Sequence, residues 1–327
     1  MQETSSPGIA SAPPMTSGLT AKLGKFDSSL FWTTLIICIA ITLWGIVAPE
    51  GFAKAMSASQ GWISVNFGWF FMLAVAGFMI FLGWLAVSKY GDIPLGQDGD
   101  KPEFSFGSWI AMLFSCGIGI GFIFWGVAEP LYHYSGTPYL AAKGTPEAVP
   151  VAMQISLLHW GIHGWAPYAI AGLAIAYTTY RLKQPLSIAN SLMGILGNKT
   201  GSFWGKLVDF LAAFATIAGI STSLGMGLMS IRFGINHVFG ADLGTTGLVV
   251  VMLILILGYT ISAVSGLNRG IKYLSNINMV CAFLVLLFFL FAGPTTFLLN
   301  LMVDSVGEYF QNFVFMTFWT DPMAQAS

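Results

Sequence analysis

What most constrains this chain is a series of apolar stretches, each long enough to cross the roughly 30 Å hydrocarbon layer of a bilayer as a helix of about 20 residues. They lie near 30–48, 66–88, 108–128, 151–177, 207–233, 245–265 and 274–293 of the 327 residues. Little of the chain is left for a water-facing domain. Charged residues make up 8% of it, against roughly 25% in a soluble domain, so it cannot cover its surface for water. In hydrocarbon every backbone polar group needs an internal partner, and stretches of this length meet that need as helices. The expected fold class is therefore an all-α integral membrane protein. A net charge of −1 provides no basic field for nucleic acid. Cys38, Cys116 and Cys281 sit within apolar runs without paired or metal-type spacing, which suits small core residues rather than disulfides or ligands.

Residues 1–29, rich in Ser, Pro, Gly and Thr, read as a disordered tail rather than a signal peptide. The distribution of Lys and Arg sets the orientation. Lys22, Lys25, Lys89, Lys101, Arg181, Lys183, Lys199, Lys206, Arg269 and Lys272 fall on the side of the N-terminus, and only Lys54, Lys143 and Arg232 on the other. The tail is accordingly expected to be cytoplasmic, in a multi-pass protein of the cell inner membrane. Residues 294–327 lie outside; Thr295 to Phe318, which carries Asn300, Asp304, Glu308 and Asn312, is expected as an amphipathic helix on the outer surface, followed by a turn at Asp321 and Pro322. An odd number of spans followed by such a helix reads as a truncated product.

Catalytic patterns are absent: there is no HExxH, GxSxG, P-loop or EF-hand sequence, and no nucleophile and base to pair, so no enzyme is expected. Glu129 and Asp209 lie near the ends of spans, where an interfacial cap accounts for each. The third span carries Gly117, Gly119 and Gly121. Gly117 and Gly121 alone would make a small-residue packing seam. Three glycines in five positions also cost a helix about 1 kcal/mol each, and unwound backbone at membrane depth persists only beside a cavity.

The fourth span places Trp160, Trp165 and Tyr168 on one arc of a helical wheel together with Gly161, Gly164 and Gly172, aromatic walls above a glycine floor. Pro167 is expected to bend the helix there. An interfacial aromatic belt is the competing account. Against it, these residues begin about nine positions into the span, near mid-membrane at 1.5 Å per residue. Ring faces in such a place can receive a quaternary ammonium, an interaction worth about 2 kcal/mol when desolvated. His159 and His163, on the other side of the wheel, are expected to bond to a neighbouring helix, since no carboxylate or further His joins them to make a metal site. Ala212, Ala213, Thr216, Gly219, Ser223, Gly225 and Gly227 form a small-residue face on the fifth span, suited to close packing, with two hydroxyls for a hard cation.

The run Gly117 to Gly121, followed by Trp125-Gly126-Val127-Ala128-Glu129-Pro130, and the run His159 to Ala169 together resemble the betaine/choline/carnitine transporters. The likeness continues through Gly172 to Arg181 and into Ser223 to Gly227. The resemblance implies a secondary transporter of five-plus-five inverted-repeat fold, with two leading helices at 30–93 and the first repeat at 104–293, assembled as a homotrimer in the bilayer. Trp160, Trp165 and Tyr168 then correspond to the box for the trimethylammonium group of a small quaternary-ammonium substrate, and Gly117, Gly119 and Gly121 to the flexible stretch beside it. The family's sodium-coupled members imply Na⁺ on backbone oxygens of Ser115 and Ile118 and on the Thr216 hydroxyl; Ile220 departs from the second hydroxyl position. No other cofactor is implied. Gly121 stands where proton-coupled choline carriers have Asp, which favours a zwitterion such as glycine betaine over choline carried with protons or carnitine carried by exchange. The alternative from another class is a fragment that does not transport.

Overall fold

The computed structural model describes residues 27–136 and 141–320. The expected tail, up to residue 26, and the turn at Asp321 and Pro322 lie outside the described residues. Within them the chain is helical throughout, with no strand.

Helix α1 (Ser28–Val47) begins at Asp27, whose carboxylate accepts the Leu30 amide at 3.1 Å. Asp27 also pairs with Lys206 at 2.9 Å, and the hydrogen bond from that ammonium holds its carboxyl below the usual carboxylate range. Only Ala48 separates α1 from α2 (Pro49–Val87). The connection implied for 49–65 is thus helix. Pro49 occupies the first helical position and Glu50 the first turn, both favourable at a helix N-terminus; Lys54, Ser57, Ser59 and Gln60 lower the hydropathy without breaking the helix. The 39 residues of α2 extend about 58 Å, well past the hydrocarbon layer.

The third and fourth spans are not continuous. The third consists of α3 (Phe106–Gly117) and α4 (Gly119–Ser135), the fourth of α5 (Ala148–Trp160) and α6 (Ile162–Ala176), which runs into a π-helical turn, Tyr177–Arg181. Two one-turn helices, α7 (Ile188–Ser191) and α8 (Met193–Leu196), lead to α9 (Phe203–Phe239), which ends on Gly240 in the left-handed region at φ 65°. Then follow α10 (Gly244–Val264), α11 (Lys272–Ala292), α12 (Thr295–Gln311) and α13 (Phe313–Phe318). Five helical segments are long and apolar enough to cross a membrane: α1, α2, α9, α10, and α11 with the turn before it.

Packing is inverted relative to a soluble protein. Most buried positions are small or polar, such as Ala76, Ala111, Ala152, Ala166, Ser275 and Ser305, whereas Leu286 and Phe289 are 52% and 63% exposed. Small residues let helix backbones approach closely where hydrocarbon outside removes the usual drive to bury large side chains. Connections counted on one side by their Lys and Arg also touch one another: Asp27 pairs with Lys206, Asp98 with Arg181 at 2.6 Å, and Glu103 accepts from Asn268 at 2.8 Å. The segment expected as one amphipathic helix is two, broken at Asn312, whose side-chain amide donates back to the Glu308 carbonyl and carboxylate. Tyr309, Met316 and Thr317 are buried, and Gln154 of α5 donates to the Glu308 carbonyl at 3.0 Å. This pair of helices is packed onto the membrane helices.

Candidate functional site

The break in the third span falls within the glycine run. Gly119 adopts φ +42°, a region that L side chains disfavour, and Ile118 is the one residue between α3 and α4. The flanking glycines answer a different need. A Cβ on Gly117 would lie 3.0 Å from Trp165 Cη2 and 3.4 Å from Tyr168 Cζ, and one on Gly121 would lie 3.0 Å from Trp160 Cη2. These glycines admit the aromatic rings of the fourth span.

The fourth span breaks at Gly161, with Pro167 retained inside α6. The span is thus interrupted six residues before the proline at which a bend was expected. A single wheel does not describe 160–168, because Trp160 belongs to α5 and Trp165 and Tyr168 to α6. Tertiary structure nonetheless gathers all three rings. Together with Gly117, Ile118, His159 and Gly164 they line a cavity of about 100 Å³. Trp165 and Tyr168 meet edge to face, with ring centroids 5.2 Å apart, an arrangement that aromatic pairs favour.

Two readings of polar residues need correction. Glu129 is not a hydrated cap: it is 6% exposed and accepts the Trp160 indole N–H at 2.5 Å. Its other oxygen contacts His159 Nδ1 and lies 3.4 Å from His133 Nε2. His159 is thus joined by both a carboxylate and a further His, and a carboxylate stands directly behind the box. The signal was legible, since Glu129 and His133 are four apart and share a helix face; the partnership with His159, thirty residues away, was not. His163 bonds to a neighbouring element as expected, to Tyr309 Oη at 2.8 Å and Thr317 Oγ1 at 2.7 Å.

The residues considered for a hard cation are distributed. Ile118 lines the aromatic cavity. Ser115 accepts from Asn278 Nδ2 at 3.1 Å and faces a separate cavity of about 460 Å³ shared with Cys116, Ser262 and Asn278. Thr216 donates to the Ala212 carbonyl of its own helix at 2.8 Å and lines a third cavity with Ser187 and Asp209. Asp209 itself caps α7, accepting from Ser187 Oγ at 2.8 Å and the Ala189 amide at 2.9 Å. On α9, Gly227 is buried against Ile120, but nothing lies within 4 Å of a Cβ on Gly219 or Gly225, so the small-residue face is closely packed over only part of its length.

Comparison with known proteins bears on what this constellation serves. The chain is 43% identical over 298 residues to the glycine betaine transporter OpuD of Bacillus subtilis (strain 168), covering 91% of this chain and 58% of that protein. It is 39% identical over 289 residues to the ectoine/hydroxyectoine transporter of Virgibacillus pantothenticus, covering 88% and 57%, and 36% identical over 293 residues to the high-affinity choline transport protein of Escherichia coli (strain K12), covering 90% and 43%. The chain thus spans about half the length of these relatives. The sequence profile of the BCCT, betaine/carnitine/choline family transporter, matches residues 29–327, which takes in the described helices from the second residue of α1 onward, the glycine break and the aromatic cavity. This multi-pass, all-helical membrane chain belongs to the betaine/carnitine/choline transporter family.

Proposed function

We propose that the chain supplies the substrate-receiving half of a secondary transporter that imports a quaternary-ammonium osmolyte, glycine betaine foremost, by Na⁺-coupled alternating access. In this reading the two leading helices and the first of two inverted five-helix repeats lie within 30–293, the assembly is a homotrimer in the cell inner membrane, and the N-terminus is cytoplasmic. The observation that carries the reading is the 100 Å³ cavity framed by Trp160, Trp165 and Tyr168 against the broken glycine stretch. A methylated ammonium cannot donate a hydrogen bond, so aromatic faces are the groups suited to replace its water. The Glu129 carboxylate behind Trp160 adds negative potential for the same cation. Relatives named as glycine betaine and choline transporters support the substrate class. Substrate and Na⁺ stabilising one closed conformation would couple their movements, with Ser115, Ile118 and Thr216 as the residues proposed for the ion.

The test is uptake of radiolabelled glycine betaine by cells lacking their own osmolyte carriers. Trp160→Leu is expected to weaken apparent affinity roughly thirtyfold, the equivalent of about 2 kcal/mol, with the protein still in the membrane. Undiminished uptake by the variant would overturn the aromatic box. Uptake unchanged on replacing Na⁺ by K⁺ would overturn sodium coupling in favour of protons or exchange, and no uptake by the unmodified chain would favour a fragment that does not transport alone.

A further inference from the structure

We propose that Glu129, His133 and His159 form a binding site for a divalent transition-metal cation of the Zn²⁺ class, adjoining the aromatic cavity and sharing His159 with its lining. Among the described residues this is the one group of three or more His, Cys, Asp or Glu side chains able to hold a metal, with one ligand atom from each lying within 4.8 Å of the others. Glu129 and His133 come from successive turns of α4 and His159 from the end of α5. Two imidazoles and one carboxylate match the donor set that Zn²⁺ accepts with a water in the fourth position. Hard cations such as Na⁺ or Ca²⁺ prefer oxygen alone.

Two further observations single the cluster out. The Nε2 atom of His133 is buried without a hydrogen-bond partner, a state that normally costs free energy and that coordination to an ion would relieve. Glu129 is also already held: its Oε2 accepts the Trp160 indole N–H, the kind of outer hydrogen bond that orients a metal-binding carboxylate. The His159 side chain is about half exposed, which gives an ion a way in and leaves room for the water. This assignment does not rest on the transport reading.

The test is Co²⁺ binding to the purified chain in detergent near neutral pH, followed by visible absorption and equilibrium dialysis. One ion per chain is expected, with the intense absorption of a four-coordinate site and displacement by Zn²⁺. His133→Gln is expected to weaken binding by roughly a hundredfold, whereas His237→Gln, on the far end of α9, leaves it unchanged. A measurement on the unmutated chain guards against a misfolded variant: Zn²⁺ is expected to protect His133 and His159, but not His237, from diethylpyrocarbonate, as mapped by mass spectrometry. The proposal is overturned if no ion binds, if His133→Gln binds as tightly as the parent, or if protection does not distinguish these histidines.

Discussion

The hydroxyls of the long helix α9 and the larger polar side chains of the broken spans use their hydrogen bonds in opposite ways. On α9, Thr216, Ser221, Thr222 and Ser230 each donate to the carbonyl four residues back in their own helix. On α4 to α6, by contrast, Glu129, His163 and Gln154 reach across: Glu129 to His159 and Trp160, His163 to Tyr309 and Thr317, Gln154 to the Glu308 carbonyl. A hydroxyl satisfied within its own turn says nothing about which helix lies beside it. A carboxylate or imidazole in an apolar surrounding must find a partner elsewhere, and in doing so it fixes how two helices sit. The difference teaches where this molecule is specified: around the cavity, partnerships between side chains of different helices fix how the short, broken helices sit, whereas on α9 the ties made by Lys206 and Asp209 lie in its first two turns.

Substitutions can break or sharpen that contrast. The largest effect is expected for His163→Leu, which removes the imidazole bonded to the buried Tyr309 hydroxyl and with it a second bond to Thr317. A loss of about 3 kcal/mol and earlier proteolysis at α12 and α13 would be read from thermal unfolding in detergent and limited digestion. Next comes Gly121→Val, whose Cβ would press on Trp160 at 3.0 Å; overpacking costs about 2 kcal/mol and is expected to displace the ring, lowering ligand affinity in a tryptophan-fluorescence titration. Glu129→Gln keeps an acceptor for the Trp160 indole but loses the charge, with about 1 kcal/mol expected from the weakened hydrogen bonds and a measurable fall in affinity for a quaternary ammonium. Smallest of all is Thr222→Val on α9, expected to change stability by less than about 0.6 kcal/mol. If Thr222→Val proved as damaging as His163→Leu, the contrast between self-satisfied and cross-bonded helices would collapse.

Legibility in the sequence followed the range of the interactions. The apolar runs could be found because the length needed to cross hydrocarbon is a local property, and the glycine run signalled a break because conformational cost is also local. At 49–65 polarity ended the apolar pattern, while Pro49 and Glu50 started a helix that polarity does not stop. The wheel drawn through Trp160, Trp165 and Tyr168 grouped three residues that do line one cavity, but by assuming a continuous helix that Gly161 interrupts. Their convergence on one cavity depends on α3 and α4 as much as on the fourth span. Glu129 was placed in water because its position near a span end was visible and its partners, from a separate helix, were not.

Pattern along the chain settled the class of molecule, the approximate spans, the point where the third one gives way and the identity of the three rings, since each follows from residue spacing and from what hydrocarbon tolerates. Folding in three dimensions decided the rest: that Gly117 and Gly121 are small because tryptophans press on them, that Glu129 stands buried between two histidines and an indole, and that the C-terminal helices dock through His163. These depend on atoms distant in sequence meeting across helix interfaces, where geometry rather than composition sets the partner.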